Sequence, residues 1–317
     1  MHLQRHRRHR PIYIGYHFFI VTWLFLMKTY SFRLLNVFAE STFGGNPLCV
    51  FEHAEGLRDE QMQALALQFN LSETVFILPS RQASARMRIF ATGYEMPFAG
   101  HPTLGAAQVV RDLLNAGDRL SLECKAGVVQ VSGDKDHWTF TAPSHGAPRT
   151  MAPALPAAEI AAMLGLTGDD LLTDPIWVDT GTDQLLVALK SHDAVKRAQP
   201  DSTRLAQWPQ SRIGRKTAYV FAFENEAPEP GQEIKVVSRY FFAKQGGGIA
   251  EDPGTGSACA NLGGWWIAAE RGLPACFSIS QGEQVQRPSR LSLDLTADKQ
   301  IRVGGRVIEI GRGTITL

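Results

Sequence analysis

The 317-residue chain is 44% hydrophobic and 20% charged, the balance of an ordinary globular protein of one large or two average domains, which excludes a disordered or fibrous chain. Its formal net charge is +1, but residues 1–26 hold four arginines and no acid; without them 28 basic residues face 31 acidic ones, and a nucleic-acid binder is excluded. Four scattered cysteines with no C-x-x-C pair argue against a structural zinc site or disulfide scaffold and for a reducing, cytoplasmic setting.

The chain opens with "MHLQRHRRHR" and "PIYIGYHFFIVTWLFLM", a basic-then-apolar layout like that of a signal peptide or signal anchor. The apolar run is short for a membrane span and no A-x-A site follows, so a start at Met27 is expected, with residues 1–26 a non-native or targeting extension. Contact with a membrane is expected only if that extension is a genuine anchor. "FRLLNVFA" and "NPLCVFE" read as strands around the Gly44-Gly45 turn, and "RDEQMQALALQF" as a helix with Met62, Leu65 and Phe69 on one stripe. "LSETVFIL" and "ARMRIFAT" read as strands, "TLGAAQVVRDLL" as a helix, and "RLSLECKAGVVQVS" and "HWTFTAPS" as strands. The Pro/Ala-rich "HGAPRTMAPALPAAE" reads as a linker, giving domains at 27–145 and 146–317. Beyond it come a helix at "LPAAEIAAMLG", strands "PIWVDT" and "QLLVALK", and a helix through "DAVKRAQPDSTRLAQW". Strands "KTAYVFAFE" and "IKVVSRYFFA" precede a small-residue helix after Ser257. "RLSLDL", "QIRVGG" and "RVIEIGRGTITL" close the chain as short strands, the last of which are expected to reach the first domain. This layout predicts an α+β fold of two halves, each a sheet wrapped around a helix.

The halves echo each other. Glu95, Pro97, Gly100 and His101 in "RIFATGYEMPFAGHPTLGAA" have the spacing of Glu251, Pro253, Gly256 and Ser257 in "RYFFAKQGGGIAEDPGTGSACA". Each copy follows an Arg-aromatic strand and opens a helix. A duplicated fold sets equivalent loops face to face across a cleft, where small ligands bind.

Neither nucleotide motif fits the second loop: no lysine follows Gly256 for a P-loop, and Cys259 stands where a dinucleotide fingerprint needs its third glycine. The helix N-termini leave a carboxylate-bearing ligand open. Strict alternation in "LSETVFIL" sets Glu73 on one face with Leu71, Val75 and Ile77, where lost solvation raises a carboxyl pKa toward that of a general acid/base. The plainer alternative is a glutamate at a fraying strand end that reaches water. His101 at a helix start is kept neutral by the dipole or merely caps it; Asp252 and Ser257 equally serve as a turn acid and an N-cap. Histidine spacing suggests no metal site, and no G-x-S-x-G elbow supports a serine hydrolase.

Together "NVFAESTFGGNPLCVF", "LSETVFIL", "EMPFAGHPTLGAA", "VDTGTDQLLVAL", "EDPGTGSACANLG" and "QGEQVQRPSRL" resemble the PhzF-like isomerase family of phenazine biosynthesis, from about residue 29 to the C-terminus. The resemblance implies the diaminopimelate-epimerase-like fold of two pseudo-symmetric halves around a cleft, a homodimer, and neither cofactor nor metal. It also implies that Glu73 is the catalytic glutamate, that His101, Asp252 and Ser257 are the other active-site positions, and that Gly100, Thr255 and Gly256 bind substrate. The reaction it implies is a proton shift between carbons of a small carboxylate-bearing, possibly cyclic conjugated substrate. The related racemases use two facing cysteines; motif alignment sets Ala99 and Pro253 at those positions, and Cys259 has no partner. The alternatives are an epimerase or racemase of a small amino or hydroxy acid, and an idle ligand-binding protein.

Overall fold

The computed structural model describes residues 27–142, 147–224, 232–244 and 246–317; the expectation for residues 1–26 lies outside them. The first half comprises β1 (Thr29–Val37), β2 (Asn46–Phe51), α1 (Asp59–Phe69), β3 (Thr74–Leu78), β4 (Ala85–Phe90), β5 (Glu95–Met96), α2 (Gly100–Leu114), β6 (Arg119–Cys124), β7 (Gly127–Asp134) and β8 (His137–Thr141). Then come β9 (Arg149–Met151), α3 (Ala157–Met163), β10 (Ile176–Asp179), β11 (Asp183–Ala188), α4 (His192–Arg197), β12 (Thr217–Phe223), β13 (Ile234–Ala243), β14 (Ile249–Asp252), α5 (Gly256–Ala268), β15 (Ala275–Gln281), β16 (Ser289–Leu295) and β17 (Ile301–Thr316).

The pairings repeat. Strands β2 and β3 are parallel with α1 between them, as β11 and β12 are with α4. Likewise β4 and β6 are parallel across α2, and β13 and β15 across α5. Each parallel pair needs a crossover, and a helix supplies it. In the first half the ring β1–β2–β3–β4–β6–β7–β8–β17–β1 closes into a barrel. The second half runs β9–β10–β11–β12–β13–β15–β16–β17–β8. The last strand thus pairs with β1 and β8 as well as β16.

Helix α2 runs through the first-half barrel and α5 packs against the strands of the second half, and both are buried over most of their length, which their glycines and alanines permit. Residues around both helices form one continuous apolar core. Helix α1 covers the outside of the first barrel with an aromatic cluster of Phe32, Phe51, Phe69, Phe76 and Phe90. Helices α3 and α4 cover the second half with Ile160, Leu185, Val195 and Trp208.

Four local expectations are corrected. Strand β3 begins at Thr74, so Leu71 and Glu73 precede it. The helix expected from Asp193 to Trp208 stops at Arg197; Pro200 cannot continue it, and residues Ser202–Gln207 form a separate 3-10 turn. The expected linker contains β9, which pairs with β10. "QIRVGG" and "RVIEIGRGTITL" are one strand, β17, because Gly304 and Gly305 admit close neighbours rather than end it. A Cβ on Gly304 would lie 2.5 Å from Thr139 Oγ1, and one on Gly305 2.4 Å from the Phe38 ring.

Candidate active site

Helices α2 and α5 start head to head. A Cβ on Gly100 would stand 3.0 Å from the Gly256 Cα, and one on Gly256 3.3 Å from the Gly100 Cα, so only glycine lets the two backbones meet. The two sets of free N–H groups at these starts border one cleft of about 620 Å³. Glu73, Gly100, His101, Asp252, Thr255, Gly256 and Ser257 all line it.

The strand context holds each loop. Phe90 pairs with Glu95 across β4 and β5, and Phe241 with Glu251 across β13 and β14. On the same strands Arg88 forks onto Glu95 at 2.8 and 2.9 Å, and Arg239 onto Glu251 at 3.1 and 2.7 Å. Each guanidinium also lies on the aromatic ring two residues along, Phe90 or Phe241. The motif glutamates are therefore tied into ion pairs that clamp the loops.

Glu73 reaches the cleft by a turn and not by strand alternation. Helix α1 ends on Asn70 in the left-handed region (φ 52°), which swings Leu71 under the α1 aromatic cluster and leaves Glu73 one residue short of β3. Val75 and Ile77 belong to the core around α2 instead, so the shared face expected of Leu71, Glu73, Val75 and Ile77 does not form. Lost solvation nevertheless acts on Glu73. Burial pushes its carboxyl up to about 7, and the negative Asp252 adds to the shift. Its Oε2 lies 3.4 Å from His101 Nε2, and neither atom has a hydrogen-bond partner among the described residues. Burial drives the His101 imidazole down to about 3, so the ring is neutral at physiological pH.

Asp252 stands across the cleft. Burial pushes it up to about 6, against hydrogen bonds from the Thr255 hydroxyl and Asn46 that favour its charge. Asn46 Nδ2 donates to Asp252 Oδ1 at 3.0 Å and to the Gly254 carbonyl at 2.9 Å, tying β2 to the second loop. Gln281 donates to the Asp252 carbonyl at 2.8 Å and to the Thr255 hydroxyl at 3.0 Å. Thr255, not Ser257, is the N-cap residue of α5, as Ala99 is of α2. No cysteine lines the cleft, and Cys259 is fully buried in α5, where burial pushes its thiol pKa up.

Sequence reasoning missed Arg215, Tyr240 and Asn46, all of which line the cleft. Asn46 lay within a quoted motif, and Tyr240 within an Arg-aromatic strand. Arg215 gave no signal, because "SRIGRK" reads as a polar surface loop. Its guanidinium donates to Tyr240 Oη at 3.2 Å and Thr182 Oγ1 at 3.4 Å and makes no carboxylate ion pair among the described residues. Burial works against its charge, and the facing oxygens of Tyr240, Tyr94 and Glu73 more than offset that cost.

Two carboxyls of raised pKa, a neutral imidazole and paired helix N-termini thus share one cleft of an epimerase-like fold. Comparison with known proteins identifies the family. Residues 35–313 match the PhzC-PhzF family model, described as phenazine biosynthesis-like protein. An uncharacterized isomerase of Pasteurella multocida is 40% identical over 294 residues, covering 92% of this chain and 95% of that one. A trans-2,3-dihydro-3-hydroxyanthranilate isomerase of Pseudomonas aeruginosa is 33% identical over 267 residues, covering 83% and 89%. Among solved structures, a Bacillus anthracis phenazine biosynthesis protein of the PhzF family superposes with a TM-score of 0.76 at 24% identity, covering 92% of this chain and all of that one. The chain belongs to the PhzF family and is an isomerase. Among the described residues no helix is long and apolar enough to cross a membrane.

Proposed function

We propose that the protein is a cofactor-independent isomerase that moves a proton between carbons of a small, carboxylate-bearing conjugated substrate, with Glu73 as the base that removes and returns it. The observation that carries this reading is the Glu73 carboxyl: 15% exposed, raised to about 7, and with a buried oxygen that has no hydrogen-bond partner among the described residues. A base whose pKa lies near the working pH both accepts and releases a proton readily. On this reading Glu73 takes a proton from a substrate carbon, the charge spreads through the conjugated system, and the same carboxyl delivers the proton to a neighbouring carbon. Neutral His101, 3.4 Å away, orients the carboxyl or relays the proton, and Asp252 holds a polar group of the substrate. Ser257, Thr255 and the N–H groups at Gly100 and Gly256 hold the substrate carboxylate. Arg215, a cleft-lining cation with no carboxylate partner among the described residues, supports an acidic ligand.

An amino-acid racemase with two thiols is disfavoured, because Ala99 and Pro253 stand at the thiol positions of the related racemases and no cysteine among the described residues lines the cleft. The test is incubation in deuterium oxide with a panel of acids: dihydroanthranilates, including the substrate named for the Pseudomonas relative, beside amino and hydroxy acids. The proposed reaction shifts the double bonds and puts deuterium on ring carbon in each turnover in which the Glu73 carboxyl exchanges its proton with solvent before delivering it. Deuterium confined to the α-carbon of an amino or hydroxy acid, with inversion, would replace it with an epimerase. Binding without exchange across the panel would leave a binding protein.

A further inference from the structure

The motif "VDTGTDQLLVAL" supplies no group to the chemistry above, yet it carries a fully buried glutamine, Gln184, directly behind Ser257. A chain of buried amides runs from it into the core. The Thr180 backbone N–H, which can only donate, meets Asn261 Oδ1 at 2.9 Å, and the Thr180 hydroxyl meets the same oxygen at 2.7 Å. Asn261 therefore turns its nitrogen the other way, where it donates to the Thr182 carbonyl at 2.8 Å and to Gln184 Oε1 at 2.6 Å. A carbonyl accepts only, so both ends of Asn261 are fixed independently. Gln184 must then present its own nitrogen to Ser257, and Nε2 lies 2.8 Å from Ser257 Oγ. Both amide side chains are fully buried, where a flipped amide would set like groups against each other without water to relieve them.

From this geometry we infer that Gln184 is a positioning residue that fixes the polarity of Ser257. The serine oxygen accepts from Gln184, so its hydrogen is turned into the cleft as a donor. A donor is what an anionic carboxylate requires there, and the inference rests on that reading of the substrate. Among the described residues Ser257 donates no hydrogen bond of its own.

Two near-isosteric variants separate polarity from packing. Gln184→Met removes the hydrogen bond but leaves the serine free to turn its hydrogen to the ligand. Gln184→Glu, in mildly alkaline buffer, presents an oxygen that only accepts; it captures the serine hydrogen and aims a lone pair at the ligand. With trans-2,3-dihydro-3-hydroxyanthranilate as turnover probe and 3-hydroxyanthranilate as binding probe, Gln184→Glu should raise KM and Kd about 10–100-fold, the worth of a hydrogen bond to a charged group. Its effect should match or exceed that of Ser257→Ala and vanish in the Ser257→Ala background. Gln184→Met should cost less than about five-fold, with both variants melting cooperatively. Equal losses in the two variants would overturn the inference. Neutron diffraction from perdeuterated crystals decides it without any ligand: the Ser257 deuteron should point into the cleft, and a deuteron pointing at Gln184 would overturn it. If the parent protein ignores both probes, the substrate reading fails while the neutron result still rules on Gln184.

Discussion

On the first half of the molecule Arg88 grips Glu95, and the chain continues through Met96 to Gly100 and His101; on the second, Arg239 grips Glu251 and the chain continues through Asp252 to Gly256 and Ser257. The letters the two loops share are clamps and close contacts: an arginine–glutamate fork and a glycine at each helix start. The letters in which they differ face the cleft. His101 stands opposite Ser257, and Asp252 occupies the place of Met96. The same holds one strand back. Strand registers set Phe90 of β4 equivalent to Phe241 of β13, and hence Glu73 equivalent to Thr217. The same frame occurs twice, and the proposed chemistry lies where the two copies differ.

The clamps should break first. Glu251 is 9% exposed and, among the described residues, depends on Arg239 alone for its ion pair, whereas Glu95 is 19% exposed and also has Lys125 at 3.3 Å. Arg239→Met should therefore destabilise by about 3–5 kcal/mol, since it strands a buried charge, and Arg88→Met by roughly half as much. Denaturant midpoints compare the two; equal losses would show that the clamps are equivalent.

A smaller effect, of the opposite sign, is expected at Glu73. Its folded-state pKa of about 7 lies above the ordinary 4.5, so the native protein holds that proton more tightly than the unfolded chain does. The stability this lends is complete below about pH 4.5 and fades as pH climbs through about 7. Glu73→Gln has no charge to bury, so above neutrality it should be more stable than the parent by on the order of 3 kcal/mol, with the gap closing in acid. Melting temperatures across that range test it, and a gap that widened toward acid would contradict the assigned shift. Comparable in size is Gly100→Ala, whose added methyl pushes against Gly256. Overpacking of this kind costs typically about 1–3 kcal/mol, and it should depress turnover as the helix starts separate. The smallest effect is expected at Cys259→Ala, which removes a buried sulfur far from any thiol partner: about 1 kcal/mol of stability and little turnover. A turnover loss near that of a Glu73 variant would reopen thiol chemistry.

Much of this was legible in the chain. The double E-x-P-x-x-G loop announced the pseudo-symmetry, and the small-residue runs after Gly100 and Gly256 marked the central helices around which the sheets wrap. The acidic and neutral groups of the cleft were named from those loops and the S-E-T motif. Alternation failed at Glu73 because Asn70 ends α1 in a left-handed turn, a three-dimensional event that period-two counting passes over. Gly304-Gly305 imitated a turn because glycine serves close approach as well as chain reversal. Arg215 was hidden for a different reason: its hydrogen-bond partners Tyr240 and Thr182 are distant in sequence, and nothing in "SRIGRK" signals them.

The central claim is that a lone carboxylate, present on one half of a duplicated frame, moves the proton. Its most direct test is the rate of solvent-deuterium incorporation into the acid accepted by the parent protein, measured for Glu73→Gln beside the parent. The substitution preserves size and hydrogen bonding and leaves the helix N-termini, Ser257 and Arg215 in place, so binding should change by less than about three-fold while exchange falls by about 10²–10⁴, the usual worth of general acid–base catalysis. Exchange at close to the parental rate would contradict the account and return Glu73 to a buried residue at the end of a strand.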